Sequence, residues 1–361
     1  AAQWVADQLT SLNARNVQIF PTAGHPVVYG EMLAAGPHAP TVLVYGHYDV
    51  QPVDPLDLWQ SGPFSPEIRG ENIFARGITD MKGQVMASLK AIESILHAGP
   101  LPVNLKFMIE GEEEIGSPSL VPFMESHKEL LACDFALNPD TGILDPDIPT
   151  ITYALRGLAY FELRVFGPDH DLHSGTFGGC VLNPAQALCE LIAGMHDAQG
   201  RITLPGFYDP VRPLDQDERA ELARLPIGDE FFLRNTGAPA LYGEAGYTPG
   251  EHVGARPTLE VNGLLSGFTG EGTKTVLPAW AMAKISCRLV PDQKPAEVYQ
   301  QMLQYLQANA PATIHWTLKD MHGGDPSISD RNSAGNQALT LAMETVWGKR
   351  PIYKREGGSV P

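Results

Sequence analysis

A histidine and an aspartate one residue apart, His47 and Asp49, close the segment 41–50 (TVLVYGHYDV). The residues before them, 41–45, are β-branched, apolar or aromatic and carry no charge, the composition of a buried strand, and Gly46 ends it. In open α/β sheets the carboxyl end of a strand is where ligands bind. If the chain stays extended, both side chains fall on one face. One can then bind a metal while the other orients it, or both can bind. From these two residues alone, a plain strand end with a surface His and Asp reads equally well.

Further acidic positions shift the balance. Asp80, in NIFARGITDMKG, stands just before a helical pattern over about 82–96. Val85, Met86, Leu89, Ile92 and Leu96 fall on one side of it, and Gly99 and Pro100 stop it. An N-cap carboxylate is common at such a position. Residues 103–109 (VNLKFMI) read as a strand running into 110–117 (EGEEEIGS). An acidic run is usually a solvated face, but this one follows a buried-type strand directly and lies between Gly111 and Gly116. Asp140, in NPDTG after a short strand at 135–138, also fits a turn. Four strand-type segments thus each end in a metal-ligand residue: His47, Asp80, the run 112–114, and Asp140. Four in order within one domain point to one shared site. Mixed His and carboxylate ligands suit zinc, manganese or cobalt better than calcium. A carboxylate shared by two ions holds them roughly 3.5–4 Å apart.

The elements that must position these groups are legible in part. Residues 1–12 have Trp4, Val5 and Leu9 at helical spacing, and 17–20 and 27–33 read as strands. Residues 51–70 form a long loop rich in Pro and Asp, with Trp59 and Phe64, and loops of this length are often functional. A chain of 361 residues, 43% apolar, has room for two domains and a sizeable core. Its 25 Lys and Arg against 42 Asp and Glu give a net charge of −17, which disfavours nucleic acid and anionic membranes as partners and tolerates bound cations. Cys133, Cys180, Cys189 and Cys287 are scattered without a CxxC pair, so neither a structural zinc site nor a disulfide framework is expected, and a reducing cytoplasm fits best. No apolar run approaches the roughly 18 residues of a membrane span, and no signal peptide is visible. The sequence starts at Ala1 rather than Met, so an upstream segment is allowed for.

HYD, RGITDMKGQ, EGEEEIGS and NPD together resemble the M20 metallopeptidases, a family of carboxypeptidases, dipeptidases and aminoacylases, and in particular their carnosine-dipeptidase branch. The resemblance covers nearly the whole chain. It implies an α/β fold: a catalytic three-layer α/β domain with a mixed, largely parallel sheet, and an inserted α+β lid and dimerisation domain. The implied boundaries are 1–154 for the first catalytic part, 155–323 for the lid and 324–361 for the return. The implied roles are His47 as ligand to one of two divalent ions, Asp49 as the clamp on its ring, Asp80 as the bridge, Glu113 as general base, Glu114 as metal ligand, and Asp140 as carboxylate of the other ion. Zinc is the expected metal, with manganese or cobalt as alternatives. Glu112 takes no role. The family often has Asp after the bridging Asp, where this chain has Met81; the ligand is the preceding residue. A cis peptide bond is implied at Asp80–Met81.

From about Leu155 the character changes. Residues 160–166 (YFELRVF) alternate like a half-exposed strand, and DLHSG precedes a helix at 184–196. In the family, the histidine here, His173, reaches the partner subunit's active site and helps hold the oxyanion, which implies a homodimer; His170 is the rival residue. Residues 201–254 are acidic and irregular and carry no legible chemistry. GEGTK at 270–274 lacks P-loop spacing. The resemblance assigns Thr275 and Arg288 to substrate, Arg288 pairing with a free carboxylate, a bidentate role that Lys fills poorly. Helical spacing is read at 298–309 and 336–346, and a strand at 312–318. REGGSVP at 355–361 resembles the family's GGS[IV]P turn, whose Gly358 and Ser359 would bind substrate. The family's last metal-binding histidine lies beyond this turn, and no residue of the sequence matches it. The expected activity is hydrolysis of a dipeptide or short peptide with a free C-terminal carboxylate, by metal-activated water. The alternatives are N-acyl-amino-acid deacylation by the same chemistry, and a non-catalytic, metal-stabilised interaction protein.

Overall fold

The structure, a computed structural model, describes residues 1–359, and its contacts divide into two units, the first ending at Ile143 and the second beginning at Leu144. The first unit is built on a five-stranded sheet. In chain order its elements are α1 (Ala2–Ser11), β1 (Arg15–Phe20), β2 (Val27–Met32), β3 (Thr41–His47), β4 (Glu67–Arg69), β5 (Asn72–Phe74), α2 (Gly83–Ala98), β6 (Asn104–Glu110), α3 (Leu120–Ser126), α4 (Lys128–Leu131) and β7 (Phe135–Leu137). The sheet order is β1-β2-β6-β3-β7. β1–β2 and β2–β6 pair antiparallel; β3 pairs parallel with both β6 and β7. The mixed sheet therefore gathers its parallel pairs on the side where His47 ends a strand.

One face of this sheet is covered by the apolar stripes of α1 and α2: Val5 and Leu9, with Val85, Leu89 and Ile92, pack on Val28, Val44 and Phe107. The other face is covered by α3 and α4, where Phe20 meets Phe123 edge-on at 5.5 Å and the Tyr29 hydroxyl donates to Leu130 O. Each fully buried aliphatic or aromatic side chain contributes roughly 1.5–3 kcal/mol. This burial makes three layers and pins the strand register, because a slip of one residue would turn Val44 out of the core and His47 off its face.

The loop expected at 51–70 holds one short 3₁₀ turn, Leu56–Leu58, and runs into the β4–β5 hairpin. Asp80 does not cap α2. The helix follows a distorted turn, Ile78–Lys82, in which Asp80 (φ −152°, ψ 95°) is non-helical, and the peptide bond Asp80–Met81 is cis, as the resemblance implied.

The second unit contains β8 (Thr150–Leu155), β9 (Gly157–Phe166), β10 (Leu172–His173), α5 (Ser174–Phe177), α6 (Pro184–Ala193), α7 (Gln216–Leu222), α8 (Asp229–Thr236), α9 (Pro249–Ala255), β11 (Thr258–Ser266), β12 (Val276–Leu277), β13 (Trp280–Leu289), α10 (Pro295–Asn309), β14 (His315–Gly324), β15 (Ser327–Ile328), α11 (Ala334–Trp347) and β16 (Ile352–Glu356). An antiparallel sheet, β11-β13-β9-β14, buries one face under α6 and α10 through Phe161, Leu163, Ile285, Leu188 and Met302. A second sheet, β15-β8-β16, joins chain segments about two hundred residues apart in sequence, with β16 parallel to β8. The stretch 201–254, expected to be irregular, holds three short helices. Their start signals are local: Asp215 caps α7, and Thr248 and Glu251 form a capping box on α9 with Pro249 at its first position.

Candidate metal centre

The parallel strands β6, β3 and β7 bring their carboxyl ends side by side, and each leads into a ligand-type residue. His47, the last residue of β3, is fully buried. Gly46 permits the approach: a Cβ there would lie 2.8 Å from Val85 and 3.3 Å from Ile109. On one side of the ring, Nδ1 meets Asp49 Oδ1 and the Asp49 backbone oxygen, both at 3.2 Å. On the other, Nε2 faces Asp80 Oδ1 at 3.0 Å, Asp140 Oδ2 at 3.6 Å and Glu113 Oε2 at 3.9 Å. One ligand atom each from His47, Asp80 and Asp140 lie within 4.8 Å of one another. The sequence expectation that these distant groups share a site therefore holds geometrically.

Asp49 also accepts the Glu114 backbone N–H at 3.0 Å on Oδ2, so it ties the histidine to the acidic loop. Burial works against its ionisation, but the bonds from His47 and Glu114 hold its carboxyl below the ordinary range. Glu114 is tied to Gln51, accepting its backbone N–H at 3.1 Å and its side-chain N–H at 2.8 Å; it stands outside the His47–Asp80–Asp140 group. Glu113 is largely buried. Burial first, then the charges of Asp140, Glu114 and Asp80, push its pKa up to about 7 despite His47. Burial lowers the His47 pKa, but Asp140, Asp49 and Glu113 overcome it and raise it to about 11. Lys82, the nearest base in sequence to Asp80, lies over the Phe64 ring at 5.9 Å.

One imidazole thus faces four carboxylates, Asp49, Asp80, Glu113 and Asp140, with Glu114 bound to Gln51 beside them, and no Lys or Arg forms an ion pair with any of these five among the described residues. Such a set repels itself in a low-dielectric site unless a cation enters it. With Nδ1–H donated to the Asp49 backbone oxygen, Nε2 points at the carboxylate oxygens and would offer its lone pair once a cation displaces its proton. This donor set fits a divalent cation of the zinc, manganese or cobalt kind.

Sequence reasoning missed the supports of the acidic loop. Glu110, opposite His47 in the parallel register, is buried and accepts from the Tyr45 hydroxyl at 2.8 Å and from Ser117 Oγ at 2.6 Å. Burial raises its pKa against those two bonds. Glu112, which carried no role, is buried and accepts the backbone N–H of His25 at 2.8 Å and of Ser119 at 3.1 Å. The residue before the loop and the first acid within it therefore hold it, the next, Glu113, faces the site, and Glu114 turns to Gln51. Nothing in a run of identical glutamates distinguishes these jobs.

In the second unit the remaining predicted residues meet in two pairs. His173 Nδ1 accepts from the Gly175 N–H, and its Nε2 lies 3.3 Å from Thr275 Oγ1, across the β10–β12 pairing. His170, the rival, is exposed beside Asp169. Arg288 Nη1 donates to Ser359 Oγ at 2.8 Å, and Gly358 adjoins it in an exposed turn. Val360 and Pro361 of the GGSVP stretch lie outside the described residues.

A three-layer α/β unit whose parallel strand ends gather histidine and carboxylates around a cation-sized space defines a metal-dependent hydrolase of the peptidase type. Residues 43–360 match the profile of peptidase family M20/M25/M40, and the chain belongs to that family. It is 31% identical to the Beta-Ala-His dipeptidase of Rattus norvegicus, over 99% of this chain and 75% of that protein. It is 32% identical to the Cys-Gly metallodipeptidase DUG1 of Candida albicans, over 100% of this chain and 78% of that protein. Among solved structures, the M20 family metallo-carboxypeptidase Sso-CP2 from Sulfolobus solfataricus superposes with a TM-score of 0.86 at 34% identity, covering 100% of this chain and 81% of that one.

Proposed function

We propose that this protein hydrolyses the peptide bond of dipeptides that end in a free carboxylate, using two divalent cations, zinc in the first instance. Membership of a metallopeptidase family supports the reaction class, and the dipeptidase names of two relatives support the substrate size. The observation that carries the proposal is the buried His47 ring, with Asp49 on one nitrogen and Asp80, Asp140 and Glu113 around the other.

His47, Asp80 and Asp140 would hold one ion, Asp140 joining the ion of His47 rather than the other because its Oδ2 lies 3.6 Å from Nε2, and Asp80 and Glu114 would hold the second once Glu114 exchanges its bond to Gln51. Bound there, the ions lower the pKa of a coordinated water to about 7 and polarise the scissile carbonyl. Asp49 fixes the tautomer and the angle of His47. Glu113, with a carboxyl tuned near neutrality, takes the water's proton and returns it to the leaving amine. Asp80, more than half exposed, offers an edge open to substrate. Arg288 and Ser359, with the Gly358 backbone, take the substrate carboxylate, and His173 with Thr275 supports the oxyanion.

The segment 155–323 is read as the lid and dimerisation part, with 324–361 as the return. The pairing of β8 with β16 across that whole segment supports this division. A homodimer through the lid is supported by the edge strand β11, which exposes Val261, Leu264 and Leu265. Free Cys133, Cys180 and Cys189, all exposed, support a reducing cytoplasm. No helix of the described residues is long and apolar enough to cross a membrane.

The test is a substrate panel on metal-loaded protein: dipeptides against acetyl and succinyl amino acids, with metal content measured alongside. Faster turnover of dipeptides is expected. A clear preference for the acyl amino acids would make it a deacylase, and metal binding without turnover of either would make it a binding protein.

A further inference from the structure

Arg156, between β8 and β9, is only 9% exposed, yet no carboxylate among the described residues forms an ion pair with it. Its Nε donates to Gly357 O at 3.3 Å, and its Nη1 to His252 O and Arg256 O, both at 3.4 Å. Its Nη2 makes no hydrogen bond among the described residues. A Cβ on Gly357 would lie 2.7 Å from Nη2 and 2.8 Å from Val253 O, so only glycine lets the backbone lie against this guanidinium. Arg156 also reaches Arg288 through one hydroxyl: Ser359 Oγ donates to Arg156 O at 2.6 Å and accepts from Arg288 Nη1 at 2.8 Å. Burial, and then the charge of Arg288, hold the Arg156 pKa down at about 10, with Glu260 acting the other way.

Two guanidiniums thus share the 357–359 turn, and neither forms an ion pair with an acid among the described residues. Elsewhere in this unit buried arginines do have acids: Arg256 is paired with Glu244, and Arg355 with Glu218. Unpaired like charges at low dielectric repel, and an arriving anion relieves that repulsion.

We propose that Arg156 is a specificity-determining positioning residue of the carboxylate subsite, anchoring the 357–359 turn and adding a second buried positive charge behind Arg288. This rests on Arg288 being the partner of the substrate carboxylate. Arg156 does its work through the turn and through its field, while Arg288 makes the contact. Its weight should therefore fall on ligands that carry the anion and spare those that do not.

The experiment compares the full chain, metal-loaded, with Arg156→Met and Arg156→Lys on alanylalanine and on its C-terminal amide. The wild type is expected to favour the free acid. Arg156→Met should lose at least tenfold of the acid-to-amide ratio in kcat/KM, mainly through KM for the acid, with the amide falling much less than the acid and the metal content retained. Arg156→Lys, which keeps the charge without the fork, should recover part of the ratio; it carries the test alone if the Met variant does not fold, and should then fall severalfold below wild type. A purely structural role would lower both substrates together and leave the ratio intact. A ratio unchanged in either folded variant overturns the proposal while the carboxylate reading stands. A wild type without preference for the acid overturns that reading and this inference with it.

Discussion

Asp49→Asn keeps the shape of the side chain and removes its charge, and the structure says what must be lost. Asp49 Oδ2 accepts the Glu114 N–H at 3.0 Å, and Oδ1 stands 3.2 Å from His47 Nδ1 as its ion-pair partner, the Nδ1–H itself being donated to the Asp49 backbone oxygen. Asparagine presents one oxygen and one NH2, so either the Glu114 N–H loses its acceptor or Nδ1 loses its carboxylate partner. A buried donor left unmet costs about 1–3 kcal/mol. The Asp49 backbone oxygen, also 3.2 Å from Nδ1, still accepts from the histidine, which favours the lower half of that range. Replacing such an outer partner of a metal-binding histidine typically weakens the metal 10–100-fold, or about 1.4–2.7 kcal/mol, and the two routes agree. Asp49→Asn is therefore expected to weaken zinc binding about tenfold, and Asp49→Ala, which removes both the acceptor of the Glu114 N–H and the charge beside Nδ1, toward a hundredfold. Competition titration with a chromophoric chelator at fixed pH reads this directly. A zinc affinity within twofold of wild type in both variants would refute the assignment of Asp49 as the clamp on His47.

Glu113→Gln should retain metal content and lose 10²–10⁴-fold in kcat; full activity in the metal-loaded variant would remove Glu113 from the mechanism. Metal-free protein should lose stability as pH rises through neutrality. The Glu113 carboxyl, raised from 4.5 to about 7, and the His47 imidazole, raised from 6.5 to about 11, both bind protons more tightly folded than unfolded. The stability from His47 is full below pH 6.5 and fades toward pH 11, while ionising Glu113 penalises the fold between pH 4.5 and 7. Asp49, held low, acts only at more acid pH. Melting of chelator-treated protein from pH 5 to 9 should show Tm falling and restored by zinc; a flat or rising profile contradicts the electrostatics. Gly46→Ala puts a Cβ 2.8 Å from Val85 beside the His47 ring, and overpacking of this kind costs about 1–3 kcal/mol. Chemical denaturation should register that loss together with weaker zinc binding, and an unperturbed variant would show that the strand end is looser than described.

The spacing of apolar residues in 41–45 and 103–109 is enough to place two strands, which the structure pairs parallel, and their ends carry His47 and the acidic loop. The short helices in 201–254 were missed because their caps are local while their apolar faces are too short for periodicity. Asp80 was ambiguous in sequence for a sound reason: a carboxylate before a helix serves equally as cap or ligand. The backbone at Asp80 is non-helical and α2 has no side-chain cap, which removes the cap, and the carboxylate lies 3.0 Å from His47.

By itself the sequence determined the strand-end histidine and the inventory of acids, since these depend on residue type and on periods of two and 3.6 that any window reveals, and its motifs carried the resemblance to the family. Tertiary structure alone decided how the acids divide their labour. Glu110 and Glu112 turn inward to hold the loop, Glu113 and Glu114 face the site and Gln51, and Arg156 lies buried beside Arg288 without an acid. Charge burial, pKa and pairing are properties of what surrounds a side chain, and those neighbours come from 33 to 203 residues away along the chain.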